Sequence, residues 1–577
     1  MVTISKSNKV LYSYYNEERH LLFVTPKKDK KMKLVRIMPI IICWLLTISC
    51  APKTASVEIL KTNTNYLELI ALFKEFRKLQ EVPSDKRILY YTSDAIAKRW
   101  EKLRDYQHQL QTFNISEWTV SKKVNYHLVR AEMNGMEFNH QVLRPWSRNP
   151  NFYLNRIPLP EEAMKFPLDD TELDYLAQGL KDIPAFFEQA MENMKELSRV
   201  SGDFTSFAIH NLEHNNPLKW LSDQDASQYP GLEPLIKASN DALDHYLHWL
   251  KENQYLMKEP PGVGKDHYNW ALKNVYLFPY TWQECLSIVE LEDNRVITFR
   301  ELEKNRNRKL PLLKPDTSQE QYIKRYTQTI NGVITFIKEN EIFTVQEYLV
   351  PEAYIVEEKS RGPYGLDKPW PNKHDYFFNF SLLEPMMLET HEMIGHHFDL
   401  LRALHDDRPI RGDREHEGPY HVSVARLEGF AFALEELMMH AGYLDEQSAR
   451  SREITYNQAA FRTVRAISDL RMHNLDWSLD DAMKYCVLDA PNGHLLAGSP
   501  HLWHEMYSTL TMVGWHMQMV VGKVQFMKLL GDRSQQLGDD FLLKDFMDEY
   551  FAAGVIPTSL IRWEMTGMTD EIERLVN

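Results

Sequence analysis

The stretch with the clearest chemical content begins at position 391 and reads His-Glu-Met-Ile-Gly-His-His. In the common zinc-peptidase arrangement, H-E-x-x-H, two histidines at i and i+4 share a helix face and bind Zn2+, and the glutamate beside the first polarises the attacking water. Here the second histidine comes one residue late. At about 100° per residue, His391 and His396 would stand roughly 140° apart on an ideal α-helix, too far round to share one ion. A one-residue π-bulge absorbs the extra residue and restores the phase, and Gly395 is the permissive place for it. His397 is the alternative to His396 if the distortion lies elsewhere.

Two imidazoles need a third ligand. Thirty-two residues past His396 the chain reads R-L-E-G-F-A-F-A-L-E-E-L, an apolar helical pattern on which Glu428 and Glu435 share one face. Carboxylates on such a face are costly to bury unless paired or bound to metal. Glu428 as ligand completes a His2Glu site with an open position for water; the alternative pairs it with Arg426 or Arg465 at a solvated edge. Farther on, either Asp469 orients His473 as a donor to a tetrahedral oxyanion, or the two form an ordinary i, i+4 surface pair. Arg465 is either a bidentate clamp for a substrate carboxylate or the partner of a structural glutamate. Tyr507 either donates to the oxyanion or packs in a core. Lysine, serine and cysteine nucleophiles have no visible supporting arrangement.

The elements that must position these groups are mostly helices. Leu173, Leu176, Leu180, Ile183, Phe187, Met191, Met194 and Leu197 recur at steps of three and four, an apolar stripe of helical period that Pro184 should kink or split. Similar stripes fall near 65–80, 92–112, 232–256 and 317–339, without the fixed period of a solenoid. Between about 342 and 381 the runs I-F-T-V-Q-E-Y-L-V, A-Y-I-V and D-Y-F-F-N-F, broken by Pro351, Gly362-Pro363 and Pro369, predict a small β-sheet. Helical periodicity then resumes to the C-terminus. The expected fold class is therefore mainly α, with a small sheet beside the active-site helix.

Composition agrees. Apolar residues make up 44% and charged residues 26% of the 577, and Gly is scarce at 22, which disfavours disorder and all-β architectures. The four cysteines, at 43, 50, 285 and 486, have no C-x-x-C spacing, so a metal must sit on His and carboxylate. From Met32 a basic start, M-K-L-V-R, leads into thirteen mostly apolar residues and then Cys50, the layout of a bacterial lipoprotein signal with Leu46-Thr47-Ile48-Ser49-Cys50 as a loose lipobox. A bilayer-spanning helix needs about 20 apolar residues, so the run is short for one. Residues 1–31 then read as an extension ahead of the real start, 32–49 as signal peptide, Cys50 as the lipidated residue, and 50–60 as a tether. A helical region follows at 61–340 and a catalytic region at 341–577, expected as one continuous fold. Residues 1–50 hold nine Lys/Arg and three Asp/Glu, leaving −20 on the remainder of a chain whose net charge is −14, which argues against nucleic acid as a partner.

From 391 onward the chain resembles the bacterial domain-of-unknown-function family 885, whose members carry H-E-x-x-P-G-H-H, then E-G-W-A-L-Y-x-E, then R-x-x-x-D-x-x-x-H. The counterparts here are His391 to His397, Glu428 to Glu435, and Arg465, Asp469 and His473 followed by Trp477. Glu505, Tyr507, Gly514 and Gly522 fall where the family has its later motifs, and G-K-D-H-Y-N-W-A-L at 264–272 has the family's look. This chain lacks the proline before Gly-His-His, which leaves the H-E-x-x-G-H form seen in dipeptidyl peptidase III, and it has Trp515 and Met519 where the family has Gln and Tyr. The resemblance implies a gluzincin-like zinc metallopeptidase acting on short peptides, and the N-terminal signal with Cys50 implies a lipid anchor in the bacterial cell envelope, on the periplasmic or outer-surface side. In that reading His391, His396 and Glu428 hold Zn2+, Glu392 is the general base, His473 and Tyr507 assist, and Arg465 binds substrate. Two other readings fit the same residues: a lipid-anchored helical peptide- or nutrient-binding protein without catalysis, and a zinc-dependent hydrolase of non-peptide amides or esters.

Overall fold

Several helices in this chain start just after a residue whose side chain caps them. Every regular element among the described residues is a helix: α1 (Tyr66–Gln80), α2 (Ser93–Gln111), α3 (Val120–Phe138), α4 (Asp170–Asn193), α5 (Gly202–His214), α6 (Leu232–Asn253), α7 (Lys265–Asn274), α8 (Trp282–Arg306) and α9 (Gln319–Glu339). In α4 and α8, Asp169 with Glu172 and Thr281 with Glu284 form reciprocal capping boxes that satisfy orphan N–H groups of the first turn. The computed structural model describes residues 64–80, 91–159, 166–222, 224, 228–351, 376–412, 419–491 and 495–576. The signal-like segment and Cys50 lie outside them.

Four of the expected stripes coincide with α1, α2, α6 and α9, and the fifth with α4. Pro184 does not split α4, and a neighbouring side chain makes up for the bond it removes. Proline cannot donate to the Leu180 carbonyl one turn back; the Ser239 hydroxyl of α6 instead sits 2.9 Å from that oxygen and 2.8 Å from its own Leu235 carbonyl. Its one proton serves both acceptors.

The expected small sheet is not found among the described residues, where Ser201 and Glu259 form no more than an isolated bridge. Over 342–350 the chain is an irregular segment pinned to the core by Ile342, Phe343 and Leu349, and the N–H and hydroxyl of Thr344 both donate to Asp548 rather than to a strand. Residues Tyr376–Leu383 form a helix. Arg325 decides that outcome against β-propensity: its guanidinium donates to the carbonyls of Ser381, Leu382 and Leu383, the acceptors a helix C-terminus leaves open. The A-Y-I-V run lies outside the described residues.

After this point come the three consecutive segments of the motif helix, Met386–Glu389, the π-helical Thr390–His397 and Phe398–His405. Then follow α10 (Val424–His440), α11 (Ser451–His473), α12 (Leu479–Asp489), α13 (Pro500–Thr511), α14 (Trp515–Leu537), α15 (Leu543–Ala553) and α16 (Thr558–Thr566). The largest apolar core runs from Leu69 to Leu575 and draws on both sides of residue 340, joining Leu128, Val289 and Ile330 to Phe430, Leu470 and Val520. A second core, Tyr91 to Met257, sits under α4 and α6. Helix α10 lies at the centre, buried along nearly its whole length.

The Ser239 bond makes a stability prediction. Ser239→Ala leaves the Leu180 carbonyl buried without its donor and should cost about 1–2 kcal/mol, read as a lower urea midpoint with an unchanged slope.

Candidate metal centre

The extra residue in the motif is absorbed by π-helix over Thr390–His397, the element the spacing calls for. With the phase restored, His391 Nε2 and His396 Nε2 stand 3.0 Å apart, and Glu428 Oε2 of α10 lies 3.7 Å from each. A triangle with those sides has a circumscribed radius of about 2.0 Å, the length of a Zn–N or Zn–O bond. All three residues are buried, and they are the one group of three metal-capable side chains that converges among the described residues. His397 does not join them; its ring lies against Phe398. The two arginines that sequence offers as partners of Glu428 are bound to other carboxylates, Arg426 to Asp399 at 2.6 Å and Arg465 to Glu505 at 3.0 Å.

Close backbone approach brings α10 to the histidines. A Cβ on Gly395 would fall 2.4 Å from the Ala431 Cβ and 2.8 Å from its Cα. Gly395 keeps an ordinary helical backbone, so what the site uses is its missing side chain and not the conformational freedom that sequence suggests. On the other side of α10, a Cβ on Gly429 would fall 2.4 Å from the Gly522 carbonyl carbon of α14. Arg426 adds an ionic tie, since its Asp399 partner sits on the Phe398–His405 segment of the motif helix.

The far side of His391 carries two residues that spacing alone does not assign. Glu435 Oε1 lies 2.8 Å from His391 Nδ1, and Arg462 Nη2 lies 2.6 Å from that oxygen. Burial and the Arg462 charge oppose a proton on His391, yet Glu428 and Glu435 outweigh them and hold its pKa up at about 9. The signal for Glu435 was its seven-residue step from Glu428, and for Arg462 its place one turn before Arg465. Glu392 is partly exposed, whereas every other residue from Glu384 to Leu400 is buried, so the motif helix is most open to solvent at that residue.

The remaining expected site residues are engaged elsewhere. Asp469 accepts from the N–H groups of Gly514 and Met517 and from the Tyr268 hydroxyl, supplying the cap that Gly514 cannot give to α14. It therefore does not orient His473, which stands 3.9 Å away and donates from Nε2 to the Thr509 carbonyl at 2.9 Å. Burial lowers the His473 pKa to about 4, so it is a neutral pin between α11 and α13. The Tyr507 hydroxyl accepts from Asn149 at 3.2 Å and its ring meets Phe204 and Phe207, toward the N-terminal half. Arg465 bridges Glu505 and the Met519 sulfur, the structural alternative for that residue.

The family described as "Bacterial protein of unknown function (DUF885)" matches residues 77–565. The chain belongs to this family. Two solved structures share the DUF885 chain's fold. One, from Shewanella oneidensis, is described as a candidate lipoprotein of unknown function and is 15% identical, with a TM-score of 0.64 over 87% of this chain and 98% of that one. The other, from Colwellia psychrerythraea, is also described as a candidate lipoprotein and is 14% identical, with a TM-score of 0.62 over 87% and 99%. No curated protein matches the chain.

Gly395→Ala tests the close approach. Helix propensity favours Ala by about 1 kcal/mol, but a methyl forced against Ala431 costs about 1–3 kcal/mol and should win, giving a net loss of stability. Ala431→Gly should recover part of that loss, seen as a coupling energy in a double-mutant cycle of unfolding midpoints.

Proposed function

We propose that this DUF885 protein is a zinc-dependent peptidase that hydrolyses short peptides. One observation carries the reading: two imidazole nitrogens and a carboxylate oxygen from the motif helix and α10 enclose a point about 2.0 Å from each, with a donor set suited to zinc. When bound, zinc lowers the pKa of a coordinated water toward about 7 and polarises the substrate carbonyl. Glu392 adjoins His391 in sequence and alone on this stretch reaches solvent, which suits a carboxylate that must meet both water and substrate. It takes the proton of the attacking water as the water oxygen bonds to the peptide carbonyl carbon, then delivers it to the nitrogen as the C–N bond breaks. His391, His396 and Glu428 keep their places through this cycle because each is buried and fixed from a packed helix. Gluzincin kinship and the H-E-x-x-G-H form belong to this same proposal.

The experiment separates binding from chemistry. Glu392→Gln should keep zinc, measured by metal analysis of purified protein, while peptide turnover falls by roughly 10² or more. His391→Ala should lose zinc and turnover together. Peptide cleavage that survives complete removal of metal would overturn the reading, and zinc without cleavage of any peptide in a diverse library would favour hydrolysis of non-peptide amides or esters.

We also propose lipid anchoring in the cell envelope through Cys50. The basic start at Met32, the short apolar run and the loose lipobox support it, as does the description of both structural relatives as candidate lipoproteins. No described helix is long and apolar enough to cross a membrane. Cys50→Ala should move the protein from the membrane fraction to the soluble fraction; retention in the membrane would point to an uncleaved helix.

A further inference from the structure

His391 has two ring nitrogens, and only one can face the metal. A neutral imidazole carries a single proton, so binding through Nε2 requires that proton on Nδ1, with an acceptor to hold it there. Two groups reach Nδ1: Glu435 Oε1 at 2.8 Å and Arg462 Nη2 at 3.3 Å. They ask for opposite tautomers. A guanidinium has only donors, so Arg462 alone would engage the Nδ1 lone pair and drive the proton to Nε2, where it blocks the metal. The Glu435 carboxylate accepts, and it also draws Arg462 to itself, with Nη2 at 2.6 Å from Oε1 and Nη1 at 3.3 Å from Oε2.

We propose that Glu435 is a positioning residue that locks His391 in the metal-binding tautomer and keeps Arg462 from imposing the other one; this rests on the zinc reading above. Helix geometry makes the arrangement possible. Glu428 and Glu435 are seven residues apart, two turns of α10, so their carboxylates flank the imidazole, one at the Nε2 side and one at Nδ1. Arg462 comes from α11 and lies over the Phe432 ring, which fixes it from below. The charged ends of Glu435 and Arg462 are 1% exposed, so water cannot replace either partner.

Two substitutions break the same buried ion pair but leave opposite groups at Nδ1. Glu435→Met removes every acceptor at that position and leaves the guanidinium facing Nδ1; Arg462→Met leaves the acceptor in place. Both should lower the melting temperature of the metal-free protein. Zinc affinity, measured by competition with a chromophoric chelator, should fall about 10–100-fold in Glu435→Met, the scale of losing a ligand's outer partner, and stay within a few-fold of the parent in Arg462→Met. Should either single variant fail to fold, Glu435→Met with Arg462→Met replaces the pair by apolar side chains of similar length; it should recover the melting temperature while zinc affinity remains at least 10-fold below the parent. Equal zinc affinity in Glu435→Met and Arg462→Met, or parent-like affinity in the double variant, overturns the positioning role. A parent protein that takes up no zinc overturns the metal reading itself and this inference with it.

Discussion

The site depends on how closely α10 can approach the helices on either side of it. Helices normally pack with axes about 8–10 Å apart, because side chains must interdigitate between them. Here glycine removes the side chains at the crossings: Gly395 against Ala431 on the motif-helix side, Gly429 against Gly522 on the α14 side. Glutamate is a short reach from its helix axis, and only this proximity lets Glu428 meet two histidines that belong to a different element. The π-helical turn solves the other half of the problem. It brings His391 and His396 to one face, and the glycine contact brings the third ligand to that face.

Approach alone would leave α10 free to rotate, and buried charges remove that freedom. Arg426 binds Asp399 of the motif helix, Glu435 meets Arg462 of α11, and Glu436 binds Lys523 of α14 and Arg295 of α8. Three positions around the helix are thereby tied to four neighbours. Lys523 also reaches Glu292, so α8, α10 and α14 share one charged knot, and its two cations hold the Glu436 carboxylate down at about 2 against the upward pull of burial. Such pairs add little net stability over apolar packing, but breaking one costs about 3–5 kcal/mol, which excludes any rotation of α10 that separates them. Glu428 is left on the histidine side as a consequence.

Much of this was legible from residue types and spacing. The helical stripes gave α1, α2, α4, α6 and α9 because a 3.6-residue period of apolar side chains has one good solution on a core. The five-residue step from His391 to His396 required a π-turn for the two to meet, and the structure has one. The family was legible as well, since its motifs combine unusual residues at fixed steps, and the likeness to it covers 77–565. Other inferences failed for reasons spacing does not carry. The aromatic run at 376–380 looks like strand, yet a distant arginine caps it as helix. Asp469 and His473 have the right step for a dyad, yet α14 needs a capping carboxylate and takes Asp469 for it.

What the sequence determined by itself was the local chemistry: which helices form, where the motif must bulge, and which His and Glu side chains are worth burying together. Those are consequences of backbone periodicity and of side-chain type, both written within a few residues of one another. Only the tertiary structure decided which carboxylate faces which nitrogen. Arg426 and Arg465 are the partners that sequence offers Glu428, yet they bind Asp399 and Glu505, while Glu435 takes Arg462, and how the helices cross makes that choice. That choice is electrostatic and long-range: a buried charge takes the nearest opposite charge the packing presents, and nearness across helices is not a property of the sequence around it.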